Sequence, residues 1–224
     1  MKEEYIDFLK LHLDFWTQLT PDQMKMLLNS ARMQHYAAGE NISSAGHECV
    51  GVLVIKSGEL RTYILSEDGR DITLYRMGSG DVCILSASCI LRSITFDVYI
   101  DAEKESDVLL INASAFASIA GQNLYAENFA LRTGMERFSD VMWAMEQILF
   151  MSFDKRLAVF LIDETARIEN DYLPLTHEQI AKYMGSAREV VSRMLRHFSS
   201  EGMVALNRGG VRILDRARLK SLIS

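Results

Sequence analysis

The stretch of sequence that decides the C-terminal fold is LTHEQIAKYMGSAREVVSRMLRHF, residues 175–198. Its apolar residues recur at helical spacing in two short runs, which predicts two amphipathic helices. Gly185 separates the runs, and helices often end on a glycine because its backbone adopts the left-handed conformation at little cost. Ser186 is a good N-cap for the second helix, and Glu189, three residues later, completes a predicted capping box. The pattern indicates a helix–turn–helix.

The second predicted helix has a polar face as well as an apolar one. Its members are the residues that the apolar face leaves outside: Arg188, Glu189, Ser192, Arg193 and Arg196. Guanidinium, carboxylate and hydroxyl groups within about one and a half turns match the acceptors and donors that base pairs present in the major groove. A purely structural hairpin with a solvated charged face is the alternative interpretation.

A β-hairpin is predicted directly after the second helix. Gly202 ends that helix, and two predicted strands, 203–206 and 211–214, flank a glycine-containing turn at 207–210. A helix–turn–helix followed by a hairpin is a winged helix, and Arg208 and Arg212 of the wing are positioned to meet DNA phosphates. The hairpin therefore favours binding of duplex DNA over a structural role.

The formal net charge of the chain is −6, but this charge is unevenly distributed. Residues 1–150 carry 12 Lys and Arg against 21 Asp and Glu, whereas residues 151–224 carry 12 against 9. The basic residues thus coincide with the predicted DNA-binding surface, and the acidic part of the chain would repel a polyanion.

The composition is that of an ordinary soluble protein with room for two domains. Of its 224 residues, 49% are hydrophobic and 24% are charged, which suits two separate cores. We expect no secretory signal, because the first residues are acidic, and no membrane span, because the longest apolar segment, around 82–91, is too short. Three cysteines do not form a disulfide framework. We therefore expect a cytoplasmic protein in a reducing interior.

Short β-branched segments broken by glycine turns dominate residues 36–111. Strands are predicted at 50–55, 60–65, 72–75, 96–100 and 108–111, a spacing typical of an antiparallel roll or barrel. Two short amphipathic helices, at 5–16 and 21–33, are predicted before them.

A long helix is predicted beyond residue 122, with apolar residues spaced alternately four and three apart. These residues form what we term the seam: Leu131, Met135, Phe138, Met142, Met145 and Leu149. No other long helix in the chain could pack on the seam, so we expect a second copy of the chain to do so; packing on its own β domain is the alternative. We therefore expect a β-roll domain at 1–122, a dimerisation helix at 123–151 and a winged helix at 152–224.

A β roll, a long dimer helix and a C-terminal winged helix, in this order, resemble the Crp/Fnr family of bacterial transcription regulators. The E-x-x-S-R pattern of Fnr-type members is present at Glu189, Ser192 and Arg193. The resemblance implies an α+β fold whose N-terminal domain is a jelly-roll-like, cyclic-nucleotide-binding-like roll. It also implies a homodimer on a palindromic operator related to TTGA…TCAA, with half-sites about one helical turn apart. RNA polymerase is a further partner that it implies.

The resemblance assigns roles to individual residues. Arg188, Glu189, Ser192 and Arg193 would contact base edges, since an arginine fork matches the two acceptors of guanine and a carboxylate accepts from the amino group of cytosine. The expected contacts to the DNA backbone involve Thr176, His177, Ser186, Arg196, Arg208 and Arg212.

The predicted roll departs from the family where cyclic nucleotides bind. The family's phosphate cassette has a Gly-Glu pair and, further along the chain, an arginine followed by a small polar residue. Gly80 and Asp81 keep the glycine and replace the glutamate by a shorter carboxylate, but Phe96 and Asp97 stand at the positions of the arginine and its neighbour. An aspartate repels a phosphate, which argues against cAMP. Small polar residues among apolar ones instead predict a largely uncharged pocket for an unidentified effector. The candidate residues are Gly80, Asp81, Cys83, Ser86, Ser88, Cys89 and Arg92.

Cys83 and Cys89 have three interpretations: ordinary buried residues, lining of this pocket, or a thiol pair whose oxidation gates DNA binding. Together with Cys49 they are three, too few for the four thiolates of an iron–sulfur cluster. The sequence has no nucleophile–base pair, metal-ligand spacing or phosphate-binding glycine loop, so we expect no enzyme. We expect the effector to shift the dimer between two arrangements of its winged helices.

Overall fold

The computed structural model describes residues 3–44, 50–66, 71–84 and 98–223. The chain divides into two compact units, Met1–Leu65 with Leu74–Val141 and Ser66–Thr73 with Met142–Ser224. Across the described residues, none of the helices combines the length and the apolar character that crossing a bilayer requires.

Two helices and a 3-10 turn open the first unit. They are α1 (Glu3–His12), the 3-10 turn Trp16–Gln18 and α2 (Pro21–Ser30). Thr20 caps α2 through a capping box with Gln23, whose N–H donates to Thr20 Oγ1 while the Thr20 N–H donates to Gln23 Oε1. Both helices end earlier than predicted. Residues 31–33 belong to a strand instead, because they pair with a strand about eighty residues away, which overrides their helical spacing.

The strands between residues 31 and 111 form two four-stranded sheets. Their bounds are β1 (Ala31–Tyr36), β2 (Asn41–Ser43), β3 (Val52–Ser57), β4 (Leu60–Leu65), β5 (Asp71–Met77), β6 (Val82–Cys83), β7 (Tyr99–Ala102) and β8 (Ser106–Ile111). The sheet orders are β1-β8-β3-β6 and β2-β7-β4-β5, and β1 and β3 run antiparallel to β8, as β2 and β4 do to β7. The predicted antiparallel roll is confirmed.

The roll has an apolar interior and a second core against the helices. Leu53, Ile55, Leu60 and Ile100 pack in the interior, whereas Val52, Val54, Leu109 and Ile111 belong to the core that includes α1 and α3 (Ala113–Ala120). Alternate residues of β3 thus point to opposite cores, as the two-residue repeat of a strand requires.

A 27-residue helix, α4 (Leu124–Phe150), follows. Its buried residues, Ala126, Phe129, Ala130 and Thr133, all lie in its first three turns. The six seam residues, by contrast, are 46–65% exposed in the single chain. Intrachain packing therefore leaves the seam uncovered.

From Phe153 onward, the second unit is a winged helix, as predicted. Its elements are α5 (Phe153–Arg167), β9 (Tyr172–Leu173), α6 (His177–Met184), α7 (Arg188–Ser200), β10 (Val204–Asn207), β11 (Gly210–Ile213) and α8 (Arg216–Ile223), and its sheet order is β10-β11-β9. Leu157 and Leu161 of α5, Ile180 of α6, and Val191 and Leu195 of α7 are fully buried in one core.

The turn between α6 and α7 corrects one prediction. Gly185 is left-handed, with φ of 58°, and ends α6 as expected. Ser186 is not the N-cap of α7, however, because its N–H still donates to the Ala181 carbonyl, 3.0 Å away, as part of the turn. Ala187 takes the N-cap position and offers no side-chain hydrogen bond, so the predicted capping box with Glu189 is wrong.

Candidate nucleic-acid interface

Helix α7 is held by one face and exposes the other. Val191, Leu195 and Phe198 are at most 1% exposed, and their spacing of four and three residues places them on one side. We use the term recognition row for the predicted base-contacting residues on the remaining surface, which are Arg188, Glu189, Ser192 and Arg193. Three of the row are exposed and Ser192 is half-buried. Packing of the apolar face therefore decides which side chains α7 presents.

Helix α6 begins with a capping box that the sequence prediction missed. The Gln179 N–H donates to Thr176 Oγ1, and the Thr176 N–H donates to Gln179 Oε1 at 2.8 Å. The threonine followed three residues later by glutamine is the sequence signal for such a box. Thr176 is exposed at this helix start, so its predicted contact to the DNA backbone remains compatible with the cap.

His177 and Ser192 join the two helices of the motif. His177 Nδ1 lies 2.8 Å from Ser192 Oγ, and both residues are half-buried. Burial lowers the pKa of His177, and the nearby guanidinium groups of Arg188 and Arg196 lower it further. The start of α6 adds positive potential at the same place. The imidazole is therefore neutral around neutral pH.

Arg188 of the row is held by an exposed ion pair. Arg188 Nη1 lies 3.6 Å from Glu178 Oε2, and the two side chains are 64% and 72% exposed. Exposed ion pairs of this kind contribute little to stability. Arg188 is thus able to exchange this carboxylate for a DNA partner at low cost.

The wing adds two more cations. Arg208 is exposed in the turn between β10 and β11. Arg212 is exposed on β11, with its guanidinium carbon 5.4 Å from the centre of the Tyr172 ring. Stacking on an aromatic ring restrains an arginine without neutralising it. Both residues stay candidates for phosphate contacts.

A shallow groove lies between helices α6 and α7 and the wing. It has a volume of about 320 Å³ and is lined by Thr176, His177, Glu178, Arg188, Asn207, Gly209 and Gly210. The start of α6, the start of α7 and the tip of the wing thus border one surface. Ser186 is half-buried in the turn between α6 and α7, and Arg196 is exposed further along α7.

Arg156 of α5, which was not predicted as a functional residue, holds the end of α6 in place. Arg156 Nη2 donates to the Met184 carbonyl at 2.7 Å, which satisfies a backbone group at the end of α6. Burial lowers the pKa of Arg156 from its ordinary value. An arginine among the apolar residues of α5 was the available signal.

The interior of the β roll contains a cluster of polar groups that the sequence analysis also missed. Thr62 Oγ1, Tyr75 Oη and Arg137 Nε are buried, and none of them makes a hydrogen bond of good geometry within the described part of the chain, although the Thr62 and Tyr75 hydroxyls lie close to each other. The Arg137 guanidinium carbon lies 5.2 Å from the centre of the Tyr75 ring. Burial raises the pKa of the Tyr75 hydroxyl well above its usual range. Buried polar atoms of this kind ordinarily have a partner.

Arg137 carries a positive charge into this cluster. Burial alone lowers its pKa, but a hydrogen bond from Nη1 to Asp140 Oδ2, 2.9 Å long, and the nearby Asp81 carboxylate together raise the pKa above its ordinary value. The distance between Arg137 Nη2 and Asp81 Oδ1 is 3.7 Å. The guanidinium therefore stays charged although its side chain is only 15% exposed.

The predicted effector residues are only partly within the described structure. Asp81 accepts from the Gly78 N–H through Oδ2 at 2.8 Å, next to Gly80, whose φ is 92°. Cys83 is fully buried in the roll interior, where access of an oxidant is limited. The remaining residues singled out in the sequence lie outside the described residues: Ser86, Ser88, Cys89, Arg92, Phe96 and Asp97. The thiol-pair alternative therefore remains a prediction.

Two family descriptions match the chain. Residues 155–222 match the Crp-like helix-turn-helix domain, and residues 33–123 match the cyclic nucleotide-binding domain. The first match covers the winged helix, and the second covers most of the roll.

Individual proteins are similar over most of the chain. A solved structure from Eubacterium rectale ATCC 33656, described as a transcriptional regulator of the Crp/Fnr family, superposes with a TM-score of 0.90 at 46% identity and covers 95% of this chain and 98% of its own. The Cyclic AMP receptor protein of Thermus thermophilus is 23% identical over 91% of this chain and 94% of its own length. The transcriptional activator protein FnrA of Stutzerimonas stutzeri is 26% identical over 82% and 77%.

Proposed function

We propose that this chain, which belongs to the Crp/Fnr family of transcription regulators, acts as a homodimer that binds a palindromic operator related to TTGA…TCAA under the control of a small-molecule effector. Family membership makes it a transcription regulator with a helix-turn-helix DNA-binding domain. The observation that carries the proposal is the exposed recognition row on α7, flanked by the cationic wing.

The recognition row supplies the chemistry for reading a half-site. The forked guanidinium groups of Arg188 and Arg193 suit the O6 and N7 acceptors of guanine, and the Glu189 carboxylate suits the amino group of cytosine. A second set of residues is proposed to contact the phosphates, which positions the row in the groove without adding sequence information. These residues are Thr176, His177, Ser186, Arg196, Arg208 and Arg212.

The dimer is proposed to form through the seam of α4. Six large apolar side chains that remain 46–65% exposed on one face of a helix are an unusual surface for a monomer. A two-fold axis along the seam would pair each apolar residue with its copy. Two recognition helices related by that axis would read two half-sites about one helical turn apart.

Selection of bound sequences from random duplex DNA tests the proposal directly. We expect a palindrome with TTGA-like half-sites to be enriched and to bind at least about 10³-fold more tightly than a scrambled duplex at physiological salt. The matched control is the same selection with Arg193→Ala, which should lose the preference at the base pair that Arg193 contacts. Equal binding of palindromic and scrambled duplexes by the unaltered protein would contradict the proposal.

The effector is proposed to bind inside the roll, at the polar cluster of Thr62, Tyr75 and Arg137. Two buried hydroxyls and a charged guanidinium suit a small molecule with an anionic or hydrogen-bonding group. The remaining candidates for its binding site are Gly80, Asp81, Cys83, Ser86, Ser88, Cys89 and Arg92. The Phe96 and Asp97 positions still argue against cAMP. RNA polymerase is the proposed further partner.

Without a ligand, Tyr75→Phe should leave stability unchanged or raise it by up to about 1–3 kcal/mol, because it removes a buried hydroxyl that makes no hydrogen bond of good geometry within the described residues. Urea unfolding of the two proteins measures this difference. Tyr36→Phe is the matched control at a buried tyrosine whose hydroxyl is not among the unpartnered buried atoms. A loss of more than about 1 kcal/mol in Tyr75→Phe would mean that the hydroxyl is already bonded, and the proposed site would lose its support.

A further inference from the structure

We propose that His177 fixes the direction of the Ser192 hydroxyl and thereby acts as a specificity-determining positioning residue, in addition to its predicted contact with the DNA backbone. The inference rests on the proposed function, because Ser192 must face a base for its hydroxyl direction to matter. What it adds is which hydrogen-bonding role Ser192 presents to the DNA, and which residue decides that role.

The geometry carries the inference. His177 Nδ1 and Ser192 Oγ are 2.8 Å apart, a normal hydrogen-bond distance, and both residues are half-buried. Among the described residues, each of these two side chains has the other as its only hydrogen-bond partner. A serine in a helix often bonds instead to the carbonyl four residues earlier, and Ser192 does not. The hydroxyl is therefore committed to the imidazole.

The protonation state of His177 gives the bond a direction. Burial, Arg188 and Arg196 all lower the pKa of the ring, so it is neutral and has one donor nitrogen and one acceptor nitrogen. A phosphate contact requires a hydrogen on Nε2, because phosphate oxygens only accept. Nδ1 is then the acceptor, and the Ser192 O–H donates to it. One tautomer thus serves both contacts.

The direction of the Ser192 hydroxyl decides which bases Ser192 can contact. With its hydrogen committed to Nδ1, Ser192 presents only oxygen lone pairs to the groove. It would then accept from the exocyclic amino group of adenine or cytosine and disfavour the carbonyl oxygens of thymine or guanine. Without His177 the hydroxyl rotates freely and suits either class of base. His177 would therefore restrict the choice at one base pair of each half-site.

The experiment compares the unaltered protein with His177→Phe, Ser192→Ala and the double variant. Each protein is titrated against the selected operator and against a series of duplexes. In each duplex of the series, one base pair is changed at the same position of both half-sites. We expect both single variants to relax discrimination by about tenfold at the same base pair. The double variant should match Ser192→Ala in discrimination at that base pair, with a lower affinity for all duplexes because the phosphate contact of His177 is also lost. An unrelated row residue, Glu189→Gln, is the control and should affect a different base pair.

Two conservative variants separate the two nitrogens of the ring. The amide oxygen of Asn occupies nearly the place of Nδ1, so His177→Asn should restore discrimination at the Ser192 base pair while affinity stays lower for all duplexes. The amide of Gln reaches toward the place of Nε2, so His177→Gln should retain affinity and lose the discrimination. This comparison also keeps the test valid if His177→Phe fails to fold.

The possible outcomes separate a failure of the His177 proposal from a failure of the proposed DNA-binding function. A uniform loss of affinity in His177→Phe across all duplexes, additive with Ser192→Ala, would identify a phosphate contact alone and overturn the inference. Discrimination retained in His177→Gln and lost in His177→Asn would overturn it as well. If the unaltered protein prefers no sequence at all, it is the proposed function that fails.

Discussion

Phe138→Glu is expected to convert the protein into a monomer and to lower its affinity for the palindromic operator by about 10²–10⁴-fold. Phe138 lies in the middle of the seam and is 55% exposed in the single chain. In the proposed dimer a glutamate there would lie against its own copy, and two buried like charges without partners are strongly unfavourable. The loss in affinity follows because a dimer engages its second half-site as an intramolecular event.

Sedimentation velocity and a gel-shift titration measure the two parts of this prediction. Gln147→Glu is the matched control, because it adds the same charge to α4 at a position outside the seam. It should leave the dimer and the operator affinity unchanged. A Phe138→Glu protein that remains dimeric would contradict dimerisation through the seam, and a monomer with full operator affinity would contradict the two-half-site arrangement.

Arg193→Ala is expected to abolish discrimination at the base pair that Arg193 contacts. Each bidentate arginine–guanine contact contributes about 1–3 kcal/mol of discrimination, and a palindrome has two such contacts, so operator binding should weaken by about 2–6 kcal/mol. Arg193 is exposed on α7, so this change should leave the fold intact. The titration uses the operator and its symmetric single-base variants at fixed salt.

Two further variants separate the loss of a base contact from the loss of a positive charge. Arg193→Lys keeps the charge without the planar fork, so it should recover overall affinity and little discrimination. Arg196→Ala removes a proposed phosphate contact from each half-site and should weaken binding to all duplexes alike, with a salt slope smaller by about two for the dimer. Undiminished preference for the operator in Arg193→Ala would show that this arginine does not read a base.

The winged helix was the part of the fold that the sequence predicted best. The apolar repeat at Val191, Leu195 and Phe198 identified the buried face of α7, and the structure buries all three. The N-cap failed at Ser186 because capping depends on how many residues the turn uses, which the residue types alone do not fix. Strand β1 was missed for a related reason, since its pairing with β8 is not a local property.

The polar cluster in the roll could not be predicted from local patterns. Thr62 and Tyr75 lie on different strands and Arg137 on a helix sixty residues further along the chain. Each of the three is unremarkable in its own segment. Only the fold brings Tyr75 and Arg137 into contact and buries Tyr75 close to the thiol of Cys83.

The division of α7 into a buried face and an exposed one has a practical consequence for design. Val191, Leu195 and Phe198 anchor the helix, whereas Arg188, Glu189 and Arg193 are exposed. Substitutions of exposed side chains usually change stability by less than about 0.5 kcal/mol. If the recognition row reads the operator as proposed, exchanging a few of its side chains would change promoter choice, and duplicated genes of this kind would acquire separate regulons while retaining one scaffold.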